Sequence, residues 1–171
     1  MPRRSQWIAC LTRSMIFVLA LWLFCTGNGY AQHVGGPFER MVGQWAGSGT
    51  IDLSNGTREP IKCRASYDLP TDQHRLQLNI RCASDSYNFD LSGQFTADEK
   101  NQITGRWTER IRNVGGTAIG NAQGERLQIH TESSAFSADL VIVTRNRRQS
   151  VTIDSQGGGQ IVKASITLSR M

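Results

Sequence analysis

The chain has 171 residues and a formal net charge of +5, a size that suits one domain or one domain behind an export segment. Three of the positive charges, Arg3, Arg4 and Arg13, lie in the first 31 residues, where no acid occurs, so the remainder carries only +2. The alkaline isoelectric point is therefore partly a property of the leader and gives no support to a nucleic-acid partner.

Those first 31 residues have the three parts of a secretory signal: the arginines, the apolar run Met15 to Cys25, and the small-residue site Gly29-Tyr30-Ala31. They predict a signal peptide over 1–31, cleaved after Ala31, and a periplasmic or secreted product. The apolar run has 11 residues, well short of the roughly 20 that a spanning helix needs. A lipid anchor on Cys25 would want a small residue before it, and Phe24 stands there. With the leader gone, Cys63 and Cys82 remain as an even pair in an oxidising compartment, and they are expected to form a disulfide. The chain-entropy model gives such a bridge about 3 kcal/mol. A metal pair at the same cysteines lacks a CxxC or His-x-His partner, so no metal is assigned.

Residues 32–36 read as a flexible lead-in to a single domain over 37–171. Phe38, Met41 and Val42 follow Pro37 at helical spacing and predict one helical turn from Phe38 to Val42, ended by Gly43. From Trp45 the period changes to two. Trp45, Gly47, Gly49, Ile51 and Leu53 share one face of a first strand, with the glycines letting backbone approach backbone. Asn55-Gly56 is a tight-turn signal; Asn55-Gly56-Thr57 also spells a glycosylation acceptor, but the turn explains it better. Ile61, Cys63, Ala65, Tyr67 and Leu69 form the inner face of a second strand, stopped by Pro70-Thr71-Asp72. Leu76, Leu78, Ile80 and Cys82 form that of a third. Tyr87 to Phe95, Ile103 to Trp107, Leu127 to Ile129, Phe136 to Ile142, Val151 to Ile153 and Val162 to Leu168 continue the alternation, while the Gly-rich Val114 to Ala122 leaves its facing open. Short strands at this spacing, with no room for helices between them, predict an all-β antiparallel up-and-down barrel of about 8–10 strands. An outer-membrane barrel would show lipid-facing aromatic girdles and long external loops, which this chain lacks.

The short turn leading into Gly43-Gln44-Trp45, the long meander, and Arg170 at the end of the last strand together resemble the calycin group of lipocalins, fatty-acid-binding proteins, avidins and nitrobindin-like barrels. The resemblance implies that Arg170 packs on Trp45 and closes the first strand against the last. The lipocalin Thr-Asp-Tyr motif is absent. Gln44 to Gly49 is similar to the opening of nitrobindin-like haem barrels, which ligate iron through a His on a late strand. Here His130 is the last His, and it follows Ile129 in an alternating strand, so it is expected to point outward. No cofactor is assigned.

Catalytic patterns are weak. His33, His74 and His130 fall in the lead-in, at a turn and on an outer face, and Gly47-Ser48-Gly49 reads as strand, not as a nucleophile elbow. Asp85 and Asp90, like Asp98 and Glu99, read as solvated charges. Arg106, Arg110 and Arg112 around Trp107, and Arg145, Arg147 and Arg148 at a hairpin tip, read as turn and edge cations. The pattern thus points to a non-enzymatic exported barrel. About ten strands leave room for one small apolar or amphipathic ligand. The candidate ligand-lining residues are Tyr67, Leu78, Ile80, Phe89, Leu91, Trp107, Phe136, Leu140 and Ile142. A solid barrel acting through its surface, as an inhibitor or envelope interaction module, stays open beside this reading. No nucleic acid and no stable membrane insertion are expected, and no oligomeric state is assigned.

Overall fold

Strands that alternate in polarity bury one face and wet the other, and a long meander of them is left with open edges unless its last strand returns to its first. This chain makes that closure. The computed structural model describes residues 35–70 and 73–171; the expected signal peptide, its cleavage point and residues 32–34 of the lead-in lie outside them. Ten strands follow a single 3-10 turn at Glu39–Met41: β1 (Gly43–Leu53), β2 (Arg58–Asp68), β3 (Arg75–Ala83), β4 (Asn88–Ala97), β5 (Gln102–Glu109), β6 (Val114–Gln123), β7 (Arg126–Ser133), β8 (Phe136–Arg145), β9 (Arg148–Gly157) and β10 (Ile161–Arg170). Each pairs antiparallel with its neighbours in chain order, and β1 pairs with β10, so the sheet is a closed up-and-down barrel.

The helical turn expected from Phe38 to Val42 is shorter than its spacing suggested. Only Glu39–Met41 is helical, and Val42 has already turned to an extended ψ. The apolar side still does what the spacing implied, because Phe38 and Met41 are both buried against the barrel core. Tyr87, expected on the fourth strand, sits one residue ahead of β4 in the loop before it.

The seam between first and last strand runs in register from Trp45 opposite Arg170, through Gly47 opposite Leu168, to Gly49 opposite Ile166. A methyl group at Gly47 would lie 2.0 Å from the Thr167 carbonyl oxygen, and one at Gly116 on β6 would lie 1.9 Å from that of Glu132. No side chain fits at either place, so glycine lets the neighbouring backbones approach this closely. β1 and β6 stand on opposite sides of the ring. The facing of β6, open in the sequence, follows: Ala118 and Ala122 are buried inside, and Ile119 is exposed outside.

Antiparallel order places two sets of connections at opposite ends. The 3-10 turn, the β2–β3, β4–β5, β6–β7 and β8–β9 connections and the C-terminus share one end. The β1–β2, β3–β4, β5–β6, β7–β8 and β9–β10 connections share the other. At the β1–β2 connection Asn55 Oδ1 accepts the Thr57 N–H at 2.9 Å, the local bond that an Asn-Gly turn provides.

Candidate functional site

Phe38, Met41 and Trp45 shut the first end. Trp45 is fully buried, and its Nε1 donates to the Met41 carbonyl at 2.7 Å. The Arg170 guanidinium lies 4.8 Å from the Trp45 ring centroid, and its Nη2 donates to the Arg40 carbonyl at 2.6 Å. The last strand is thereby tied to the first strand and to the plug, the packing that the calycin resemblance implied. Behind the plug, Tyr67 donates from its hydroxyl to Gln149 Oε1 at 2.9 Å, and Gln149 Nε2 donates to Thr144 Oγ1 at 2.9 Å. All three are buried. This chain of bonds ties β2 to β8 and β9 with each polar atom it uses satisfied, which makes burial tolerable. Burial pushes the Tyr67 phenol far above its ordinary value, so it stays a protonated donor.

Above this floor the barrel is hollow. A cavity of about 240 Å³ runs from Phe38 and Met41 toward the opposite end, where Tyr87, Glu109, Arg112, Gly159 and Gln160 border it. Each of the candidate ligand-lining residues borders it: Tyr67, Leu78, Ile80, Phe89, Leu91, Trp107, Phe136, Leu140 and Ile142. Tyr67 stands at the floor, and Phe89 and Phe136 stand toward the mouth, where Phe136 packs on Trp107 with ring centroids 5.7 Å apart. The wall also contains the Cys63–Cys82 disulfide, which joins directly opposed residues of β2 and β3. Thr131 is another wall residue, and its buried hydroxyl has no hydrogen-bond partner.

Two buried carboxylates shape the mouth, and the sequence reading missed both. Glu59 accepts from Ser84 Oγ at 2.6 Å, Ser86 N at 3.1 Å and Ser86 Oγ at 2.5 Å, which pins the β3–β4 loop. These bonds hold its carboxyl below the usual carboxylate range. Glu109 accepts backbone N–H groups from Asp90 at 3.0 Å, Ile111 at 3.0 Å and Arg112 at 2.7 Å. Burial pushes the Glu109 carboxyl up, but those three bonds and the Arg112 charge outweigh it and leave it below its ordinary value. Only position could have marked these two, as acids on the inward phase of a strand.

The Arg106, Arg110 and Arg112 group does not act as one. Arg106 lies on the outer face beside Gln94 and Thr108. Arg110 pairs with Asp90, which also takes Arg81 at 3.0 Å, so Asp90 is an ion-pair hub where a solvated charge was expected. Arg112 reaches the cavity mouth. At the other basic cluster Arg145 pairs with Glu125 at 2.8 Å, and Arg147 donates to the Arg170 carbonyl at 3.0 Å. His130 lies on the outer face, as the alternation implied, with Nδ1 2.7 Å from Asp139 and Nε2 3.4 Å from Glu132. Its bond to Asp139, with smaller help from Glu132, raises its pKa above 6.5.

No family model and no curated protein sequence matches this chain. Solved structures do match its fold. The chain is similar to Rv2717c from M. tuberculosis, at 9% identity and a TM-score of 0.64, over 78% of this chain and 94% of that one. It is also similar to the S-type phycobiliprotein lyase CpeS from Guillardia theta, at 15% identity and a TM-score of 0.56, over 78% of this chain and 90% of that one. Both likenesses are likenesses of barrel fold, in keeping with a calycin-like architecture.

Proposed function

We propose that this protein is an exported, non-enzymatic barrel that holds one small apolar or amphipathic molecule in its interior. The observation that carries this reading is the cavity of about 240 Å³, walled by aliphatic and aromatic side chains and bordered by loops at one end only. An engineered apolar cavity of about 150 Å³ stays dry and takes up benzene, so a largely apolar site of this size favours an apolar guest over water. The titratable groups in the wall are already engaged: Tyr67 with Gln149, Tyr87 beneath Arg112, and Glu109 with three backbone amides. Such groups position loops and are poorly placed to shuttle protons to a guest, which supports a binding role over catalysis.

The polarity of the wall supports a barrel that works in water. The outward residues of β3 include Arg75, Gln77, Asn79 and Arg81, and those of β5 include Gln102, Thr104, Arg106 and Thr108. A membrane-spanning barrel has the reverse arrangement, with an apolar band outside and a polar lumen. Among the described residues no helix is long and apolar enough to cross a membrane, and a buried disulfide suits an oxidising compartment. The alternative of a solid barrel acting through its surface expects a filled interior, which the cavity disfavours.

Native mass spectrometry of the protein purified from its own host is expected to show a bound species that leaves on denaturation. Trp107 lines the cavity while Trp45 is sealed beneath it, so an apolar guest should quench or shift Trp107 emission in wild type and have little effect in Trp107→Phe. A protein that carries nothing and takes up no apolar probe would overturn the reading.

A further inference from the structure

Glu109 and Arg112 are the charged side chains among the residues lining the cavity, and both stand at its mouth. They are not equally available to a guest. The Glu109 carboxylate is turned into its own loop by three backbone N–H groups, and its side chain is 10% exposed against 35% for Arg112. The Arg112 guanidinium stacks over the Tyr87 ring at 4.1 Å, donates from Nη1 to the Asn88 carbonyl at 2.8 Å, and has that same Nη1 3.6 Å from Glu109. The stack and the bond fix its plane, while among the described residues Nε and Nη2 have no hydrogen-bond partner. A guanidinium held this way loses little conformational freedom when it meets a planar anion. Elsewhere at the mouth the lining polar neighbours are the neutral Ser155 and Gln160, and the nearby Glu59 carboxylate is taken up by Ser84 and Ser86. Below them the wall is apolar to Phe38 and Met41 apart from the Thr131 and Tyr67 hydroxyls.

Resting on the reading of the barrel as a ligand carrier, we infer that its guest is a small anionic amphiphile, with a carboxylate or similar head on Arg112 and its tail in the cavity. A cationic head would meet Arg112 before it could reach Glu109. A neutral tail alone would leave Arg112 to water and gain nothing from its charge. The volume favours a short tail: about 240 Å³ is somewhat larger than the cavity of roughly 150 Å³ that takes up benzene.

Octanoate, 1-octanol and octylamine separate head from tail, with binding read by calorimetry and Trp107 emission on the protein stripped of endogenous guest. Octanoate is expected to bind about tenfold tighter than octanol, as a charge-assisted bond at a partly exposed site allows. Octylamine should bind weakest. Raising salt from about 50 to about 500 mM should narrow the octanoate advantage, because the site is partly exposed. In Arg112→Leu the two affinities should come within about twofold through a loss for octanoate alone, and Arg112→Lys should restore part of the difference. If octanoate and octanol bind wild type equally, or octylamine binds best, the headgroup inference is wrong and the carrier reading stands. If none of the three binds, the carrier reading fails and the inference with it. Should Arg112→Leu not fold, the wild-type ligand series and its salt dependence decide the matter.

Discussion

At one end of the barrel Phe38, Met41 and Trp45 are sealed from solvent, Arg170 is drawn over the indole, and Tyr67, Gln149 and Thr144 bond to one another across the interior. At the other end Tyr87, Phe89, Leu91, Val114 and Phe136 are only partly buried, and the polar groups hold loops instead of bridging the bore. The same ten strands pass through both ends. The difference lies in what fills the lumen. Large side chains and a satisfied polar tie make a floor, while small residues such as Ala118 and Ala138 on the wall leave space above it. Stability is concentrated where packing is dense, and access is concentrated where it is not.

The comparison breaks if the two ends respond alike to truncation. Trp45→Ala removes a fully buried anchor and is expected to cost about 3–5 kcal/mol, with Phe89→Ala at the mouth costing less than half of that; urea denaturation measures both. The disulfide belongs to the cavity wall between the ends. The paired variant Cys63→Ala/Cys82→Ala should lose about 3 kcal/mol, again by denaturation, and an unchanged midpoint would show that cross-strand pairing alone holds β2 to β3. Thr131 is a smaller lever. Its buried hydroxyl lacks a partner, and Val has nearly the same shape, so Thr131→Val should stabilise the free protein by about 1 kcal/mol.

The smallest effect concerns acid. Glu59 and Glu109 have folded pKa values lowered below the ordinary 4.5. Their contribution is therefore fully present above the unfolded value and is lost as pH falls through the folded values. Between neutral pH and about pH 3, hydrogen exchange should rise first in the loops at 84–87 and 110–113, ahead of the Trp45 end. Exchange that rises first around Trp45 would contradict the division. His130 works in the opposite sense, its raised pKa giving a contribution present below 6.5 and lost as pH rises through the folded value.

Much of this was legible in the sequence because alternation fixes facing residue by residue. Leu140 and Ile142 face the lumen for the same reason that His130, one step out of phase with Ile129, does not. Cys63 and Cys82 could be paired because both lie on the apolar phase of neighbouring strands. Trp45 and Arg170 were brought together by a resemblance; periodicity alone carries no information across that separation. What could not be read was polar and long-range. Gln149 and Thr144 look like ordinary residues beside a hairpin turn, and nothing local says that Tyr67, 82 positions before Gln149, supplies the partner. Glu59 and Glu109 are inward acids whose justification is a loop folded back onto them. Arg112 differs from Arg106 and Arg110 only because the chain turns between them.

The claim beneath all of this is that the lumen is an apolar hollow, reachable from one end. A crystal structure determined under xenon pressure tests it directly, since xenon enters apolar voids. Xenon bound among Leu78, Ile80, Trp107 and Leu140, with Trp45 unmoved, is the predicted result. A lumen filled by collapsed side chains, with no xenon bound, would contradict it.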